Sequence, residues 1–385
     1  MLSPPVFVPS QVDVLYDGAY EHAMEDVAAK ARRELRLDYF VFAGPAGDRL
    51  AGRLIARQAA GVRVRVIFDA AMLPVPELQR QQRAIAARLR AGGIEVRDQD
   101  RRPLPPRVGG ATMDHNKYMV ADQDAAVVGS ANLGAPFYSF HDLMLKVRGP
   151  VVKALAEQFD YDWEVAGHPE RPLAGALVHA EEGHPAPGTA RIVGTGPGRK
   201  TGLEAVLGVL SIARTSVYMQ AYELQDPRIL AALSAARDRG VDVRVLLDPG
   251  DVDQFTPFGW APRGILNAAG LRRMLDARVP TRVYRPAGLV RTAHMKLLVV
   301  DGERLIAGSI NFSRGGLEWA YETDLEIFGG RAPGQAVAHF LVDWDQQADP
   351  SPGPGWVARA LCAYYNWNDG NVYPPGPAWL VPPRK

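Results

Sequence analysis

A block of polar residues recurs in this chain at a constant offset of 179, and this duplication constrains the fold more than any other feature. The first copy runs from Asp114 through His115, Asn116, Lys117 and Asp122 to Gly129, Ser130 and Asn132. The second runs from His294 through Lys296 and Asp301 to Gly308, Ser309 and Asn311. In both, Lys follows His by two, Asp follows Lys by five, and Gly-Ser opens seven after Asp. The surroundings repeat as well. Gly61-Val62 recurs as Gly240-Val241, each glycine 54 residues before its histidine, and Phe159 and Trp163 recur as Phe340 and Trp344. A lone His-x-Lys would suit the exposed face of any strand. This spacing twice implies duplication of a whole unit, with a period too long for a solenoid repeat.

Alternate residues of a strand share a face, so His115 sides with Lys117 and His294 with Lys296. The apolar runs 118–121 and 297–300 read as short buried strands. Asp301-Gly302 is a tight-hairpin signal, with 305–307 as the returning strand. The first copy is expected to turn less sharply, through 122–124, before 126–128. Folding each hairpin about its Asp brings Gly-Ser-x-Asn back beside His and Lys. An imidazole, an ammonium, a hydroxyl and an amide then converge, the equipment for holding a phosphate and attacking it.

Elements alternate around these hairpins as in an α/β fold. In the first half, strands are expected at 12–15, 37–42, 62–68 and 94–96, and helices at 19–35, 48–60 and 78–91. In the second, helices fall at 203–213 and 228–239 and strands at 216–222 and 241–247. The expected organisation is two duplicated lobes, each a mixed β-sheet flanked by helices, at 1–166 and 202–348. A Gly/Pro-rich connection at 167–201 leads into the second, and a Pro/aromatic-rich tail fills 349–385. The tail carries Trp356, Tyr364, Tyr365, Trp367, Tyr373 and Trp379, with a short helix at 357–365, and is read as packing on the second lobe.

Composition excludes several classes. At 385 residues, with 47% hydrophobic and 23% charged residues, the chain is globular and long enough for two ordinary domains. A net charge of +1 gives no broad field for polyanions. The single Cys362 excludes an intramolecular disulfide. The segment from Gly194 to Thr201 has Arg199 where a nucleotide-binding P-loop needs glycine before Lys200. His168, His179 and His184 lack the spacing and Cys partners of a zinc site, so no metal is expected. The first residues have neither a basic nor an apolar signal region, and no window approaches 18 uninterrupted apolar residues. A cytoplasmic protein is expected, peripheral to a membrane if its substrate is lipid, and monomeric because one chain carries both motifs.

Both copies match His-x-Lys-x4-Asp-x6-Gly-Ser-x-Asn at every fixed position. The chain thereby resembles the phospholipase D superfamily, over roughly residues 12–344. Tyr39 to Phe42, Gly61 to Val64 and Asp142 to Pro150 also look like the surroundings of bacterial cardiolipin synthases. The resemblance implies two lobes related by a pseudo-two-fold axis and one shared active site. It implies double displacement without metal or other cofactor, in which one histidine attacks phosphorus and the other protonates the leaving alcohol. By family analogy His115 is the nucleophile and His294 the acid/base. Lys117, Lys296, Asn132 and Asn311 would hold phosphoryl oxygens, with Ser130 and Ser309 in support. Asp122 and Asp301, at hairpin corners, are read as structural.

In the family a downstream carboxylate commonly orients a catalytic histidine. Asp142 follows the first motif, and Glu322 and Asp324 follow the second. Aligning Asp142-Leu143 with Asp324-Leu325 sets Phe140 opposite Glu322, so the lobes are expected to be asymmetric here. The leading expectation is a phosphodiesterase or phosphatidyltransferase acting on phospholipid, with an apolar cleft rim from Phe137, Tyr138, Phe255, Phe258 and Trp260. The runner-up is a nuclease or other phosphodiesterase of the superfamily, whose nucleic-acid backbone Arg63, Arg65, Arg101, Arg102 and Arg107 would flank. A non-catalytic phosphate-binding scaffold is the third.

Overall fold

The computed structural model describes residues 5–71, 75–103, 111–168, 185–196, 199–248, 263–285 and 292–350. The aromatic tail beyond 350, Phe255, Phe258, Trp260, Arg107, His179 and His184 lie outside them.

The first half comprises β1 (Val8–Pro9), β2 (Gln11–Tyr16), α1 (Ala19–Lys30), β3 (Glu34–Tyr39), α2 (Gly44–Ala59), β4 (Arg63–Asp69), α3 (Pro76–Ala91) and β5 (Glu95–Gln99). It continues with β6 (Lys117–Ala121), β7 (Ala125–Gly129), β8 (Phe140–His141), β9 (Leu143–Arg148) and α4 (Val151–Gly167). The second half begins with β10 (Thr189–Gly196), β11 (Arg199–Lys200), α5 (Thr201–Ile212), β12 (Ser216–Ala221), α6 (Pro227–Asp238), β13 (Asp242–Leu247), α7 (Arg263–Asp276) and β14 (Thr281–Tyr284). It ends with β15 (Thr292–Ala293), β16 (Lys296–Val300), β17 (Arg304–Gly308), α8 (Arg314–Glu318), β18 (Glu322–Phe328), α9 (Ala332–Gln346) and β19 (Ala348–Asp349). Part of the stretch 167–201, read as a connection, is thus strand.

One sheet has the order β2-β9-β7-β6-β3-β4-β5, and the other carries β10-β18-β17-β16-β12-β13-β14 in the same relative order. In each, three consecutive strands, β3-β4-β5 and β12-β13-β14, are parallel and the motif hairpin is antiparallel. This is the duplicated mixed α/β architecture that the repeat implies.

The element boundaries follow local chemistry. The first helix stops at Lys30 rather than continuing to residue 35. The Asp122 carboxylate accepts the backbone N–H groups of Arg32, Arg33 and Glu34 at 2.6–2.8 Å and starts β3 there. Asp301 does the same for Arg214, Thr215 and Ser216 at 2.7–3.0 Å ahead of β12. Each aspartate lies at the end of its strand remote from its histidine. The expected difference between the two turns is absent. Asp122 and Gln123 have φ of 53° and 60°, Asp301 and Gly302 of 55° and 69°, and both loops close the same register.

Among the described residues, three large apolar clusters form the core. Two lie on the outer faces of the sheets, one under α1, α2 and α3 and one under α5, α6 and α7. The third lies between the sheets and joins both halves. It holds alternate residues of the motif hairpins, such as Tyr118, Val120, Leu297 and Val299, and the buried faces of α4 and α9. Phe159 and Phe340, the repeated pair from α4 and α9, are fully buried there. Each such ring contributes about 1.5–3 kcal/mol by burial. The halves also meet directly: β8 pairs in parallel with β15, and Asp114 bridges Tyr321 at the equivalent place.

Candidate active site

Where the two sheets meet, both histidines arrive at strand starts. His115 and His294 directly precede β6 and β16, and backbone bonds from the opposite half fix them. The His115 N–H donates to the Tyr321 carbonyl at 2.9 Å, and the His294 N–H to the His141 carbonyl at 2.8 Å. A second pair of bonds tethers the preceding residues. Asp69, ending β4, accepts the Asp114 N–H at 2.8 Å, and Asp248, just after β13, accepts the Ala293 N–H at 2.7 Å. Asp69 and Asp248 are themselves 179 apart, so the repeat marks them in the sequence.

Each imidazole is then gripped by a carboxylate of the other half. His115 Nδ1 lies 2.9 Å from Glu322, and His294 Nδ1 lies 2.7 Å from Asp142. A carboxylate at Nδ1 fixes ring and tautomer, leaving Nε2 for chemistry. The asymmetry expected from aligning Asp142 with Asp324 is corrected by the strand register. Gly129 faces Met144 and Gly308 faces Asp324, so Asp142 corresponds to Glu322. The serines agree. Leu143 N–H donates to Ser130 Oγ and Thr323 N–H to Ser309 Oγ, both at 3.0 Å. Ser130 in turn donates to Asp142 at 2.6 Å, and Ser309 bonds Glu322. The sequence alignment slipped because Asp-Leu occurs in both halves, two residues apart in role.

The real asymmetry sits one step further from the histidines. Asp324 accepts the Ile310 N–H at 2.9 Å, where its counterpart Met144 offers only a sulfur to Ala131 N–H at 3.4 Å. Burial pushes the Asp324 carboxyl up to about 7. In the first half a further buried set has formed, with Asn116 donating to Asp38 at 3.0 Å and accepting from Thr323 at 2.9 Å.

The lysines are buried almost completely. Lys117 Nζ donates to the His115 carbonyl and Lys296 Nζ to the His294 carbonyl, both at 2.6 Å. Each ammonium also lies over an aromatic ring, Lys117 5.1 Å from Phe40 and Lys296 4.7 Å from Tyr222. The same two rings pack against the imidazoles, Phe40 on His115 and Tyr222 on His294. Sequence reasoning singled out Phe40 only within a longer run and missed Tyr222 altogether; both directly follow the strand beside the motif strand. Asn132 and Asn311 are buried, and neither side-chain carbonyl has a partner among the described residues.

Burial sets the electrostatics. It lowers Lys117 to about 7 and Lys296 to about 8. Burial, with Lys117, Lys296 and His294, holds His115 well below the usual imidazole range. His294 is lowered to about 4 by burial and Lys296, against the opposing pull of Asp142. Asp142 feels burial upward, but His294, Lys296 and Ser130 outweigh it and hold the carboxyl below its ordinary value. Glu322 is raised well above its ordinary value by burial. Lys117 and Lys296 act on both histidines, so the four groups lie within electrostatic reach of one another. An anionic ligand there would restore protons to the cationic groups.

The other sequence candidates divide. Tyr138 is exposed, but Phe137 is buried against Phe140 and does not form a rim. Arg63 pairs with Glu95 at 2.9 Å. Arg65, 7% exposed, pairs with Glu34 and Asp160, Arg101 pairs with Asp69, and Arg102 bonds the carbonyls of Val165 and His168. Their charges are used within the protein.

The comparisons with known proteins agree with this geometry. The family model described as cardiolipin synthase, PLD-like domain matches residues 24–163 and again 206–344. Cardiolipin synthase A of Pseudomonas aeruginosa is 26% identical over 377 residues, covering 94% of this chain and 72% of that protein. Cardiolipin synthase of Geobacillus thermodenitrificans is 27% identical over 358 residues, covering 88% and 67%. The fold also matches the crystal structure of phosphatidylserine synthase from Haemophilus influenzae with a TM-score of 0.70 at 13% identity, over 95% and 96% of the two chains. Polyphosphate kinase from Porphyromonas gingivalis gives 0.58 at 14% identity, over 94% of this chain and 54% of that one. Those two likenesses concern fold alone. With both halves matched by one domain model and the motif complete in each, the chain belongs to the phospholipase D superfamily, in the family of cardiolipin-synthase phospholipase D-like domains.

Proposed function

We propose that the protein is a phosphatidyltransferase or phosphodiesterase that cleaves a phospholipid phosphodiester at this shared site, through a phosphohistidine. The observation that carries the reading is the exchange of carboxylates: each motif histidine is oriented by the other half, so neither half holds a complete site. The relatives named as cardiolipin synthases support lipid as the substrate class.

His115 Nε2 attacks phosphorus, and the bond to the leaving alcohol breaks as His294 gives that oxygen a proton. His294 then takes the proton of an acceptor alcohol or water, which attacks phosphorus and breaks the P–N bond. The assignment of roles follows the family analogy, and the carboxylates support it: Asp142 beside His294 is held below its ordinary value, so an ionised partner favours an imidazolium there, which suits an acid. An ammonium has three donors, so Lys117 and Lys296 each keep two for phosphoryl oxygens after bonding a histidine carbonyl. Asn132 and Asn311 supply amide donors, with Ser130 and Ser309 holding the carboxylates in place. Asp122 and Asp301 act only in the fold. This reading puts a monomer against the cytoplasmic face of a membrane. No described helix is long and apolar enough to cross one.

The test is a panel of phosphatidylglycerol vesicles, phosphatidylcholine vesicles, single-stranded DNA and double-stranded DNA. Head-group release or exchange from a phospholipid, with both DNA forms intact, is expected. DNA cleavage with lipid untouched would make the protein a nuclease, and turnover of nothing would leave a phosphate-binding scaffold.

A further inference from the structure

Next to the site, and outside the chemistry just described, lies a cluster drawn from both halves. His141 ends β8, and His339 and Asp343 stand one turn apart on α9. His141 Nε2 is 2.9 Å from Asp343 Oδ2 and 3.2 Å from His339 Nε2, and His339 Nε2 is 3.7 Å from the same Asp343 oxygen. Three donor atoms therefore surround one point. On the far side of the ring, His141 Nδ1 lies 2.8 Å from Asp17. Both imidazoles are clamped by stacking, His339 on Tyr16 with centroids 3.5 Å apart and His141 on Tyr284 at 5.1 Å.

We propose that His141, His339 and Asp343 bind a divalent transition-metal ion of the zinc type, which clasps the two halves together. A tetrahedral zinc ion with bonds of about 2.0–2.1 Å holds its donors about 3.3 Å apart, and the three spacings here bracket that value. Two imidazoles and a carboxylate leave the fourth position to water. Asp17 is the outer carboxylate that orients a ligating imidazole.

The related place in the other half shows what a cation does here. Asp162 corresponds to Asp343, Gln158 to His339 and Tyr321 to His141, and the Arg199 guanidinium binds Asp162 at 3.0 Å. One half thus supplies its cation from the chain, and the other presents two imidazole nitrogens. The route in is from His339, whose side chain is a quarter exposed. His141 immediately precedes Asp142, so the ion would steady the strand that carries the carboxylate on His294 without touching the reacting atoms.

The experiment uses tag-free full-length protein, stripped with chelator and titrated calorimetrically with zinc chloride, and with cobalt chloride for its visible spectrum. Expected are one equivalent bound, a tetrahedral cobalt spectrum and a rise in melting temperature. His339→Gln, which copies the other half, should abolish all three, and Asp343→Asn likewise. Asp17→Asn, at a half-exposed residue, should fold and weaken binding about 10–100-fold. Zinc binding that is equally tight in His339→Gln, or no stoichiometric binding by the wild-type protein, would overturn the proposal and leave His141 an imidazolium between two aspartates.

Discussion

A carboxylate on each histidine ring, one aspartate and one glutamate, accounts for most of what the site residues do. Glu322→Gln and Asp142→Asn keep shape but remove the acceptor that fixes the imidazole tautomer. Each is expected to lower kcat by roughly 100-fold or more, on the scale of general acid–base contributions, with a smaller change in KM, measured by steady-state head-group release. The lysines set a pH dependence. In the empty site their proton affinities are depressed, to about 7 for Lys117 and about 8 for Lys296. An anion binds the protonated forms, so affinity is highest at low pH and falls as pH rises through those values. Sulfate, whose charge is constant, should bind at least about tenfold more weakly at pH 9 than at pH 6 by calorimetry. A flat profile would mean that the ammonium groups do not meet the ligand.

At the scale of elements, the motif hairpins and the strands that follow them decide the geometry. Gly129 and Gly308 allow the next strand to close in. A Cβ at Gly129 would run into the Leu143 carbonyl, and one at Gly308 into Asp324 and the Thr323 carbonyl. Gly308→Ala should therefore displace the Glu322 strand and abolish activity. Gly52→Ala, on the exposed side of α2 with open space around it, should instead stabilise by up to about 1 kcal/mol. Phe340→Ala, at the fully buried centre of α9, should cost about 3–5 kcal/mol in chemical denaturation. The helices α1, α2, α3, α5 and α6 were legible because apolar periodicity and glycine stops are local signals, with 78–91 and 228–239 shifted by only one or two residues; α4, α7 and α9 were not among the expected elements. The end of α1 was not legible, because Asp122 imposes it from about 90 residues away. The partners of the histidines were half legible. Both carboxylates were candidates, but their cross-over between halves and their equivalence depend on strand register, which the alignment of the two Asp-Leu pairs misassigned.

The whole molecule is a duplicated unit whose two copies have lost independence. An apolar cluster shared by α4 and α9 holds the sheets together, and β8 with β15 and Asp114 with Tyr321 stitch the site at its base. The exchange of Glu322 and Asp142 makes the site a property of the pair, which explains why each histidine needs the whole chain. The constant offset announced the duplication; the shared core was less visible, because a buried strand face reads alike whether it packs on its own helices or on a second lobe. The most direct measurement is trapping of the covalent intermediate. His294→Ala, given a phosphodiester with an acidic leaving group, is quenched and its peptides mapped by mass spectrometry. The account predicts an alkali-stable, acid-labile phosphoryl group on His115, absent from His115→Ala. Phosphate on neither histidine, in folded protein that binds the substrate, would contradict it.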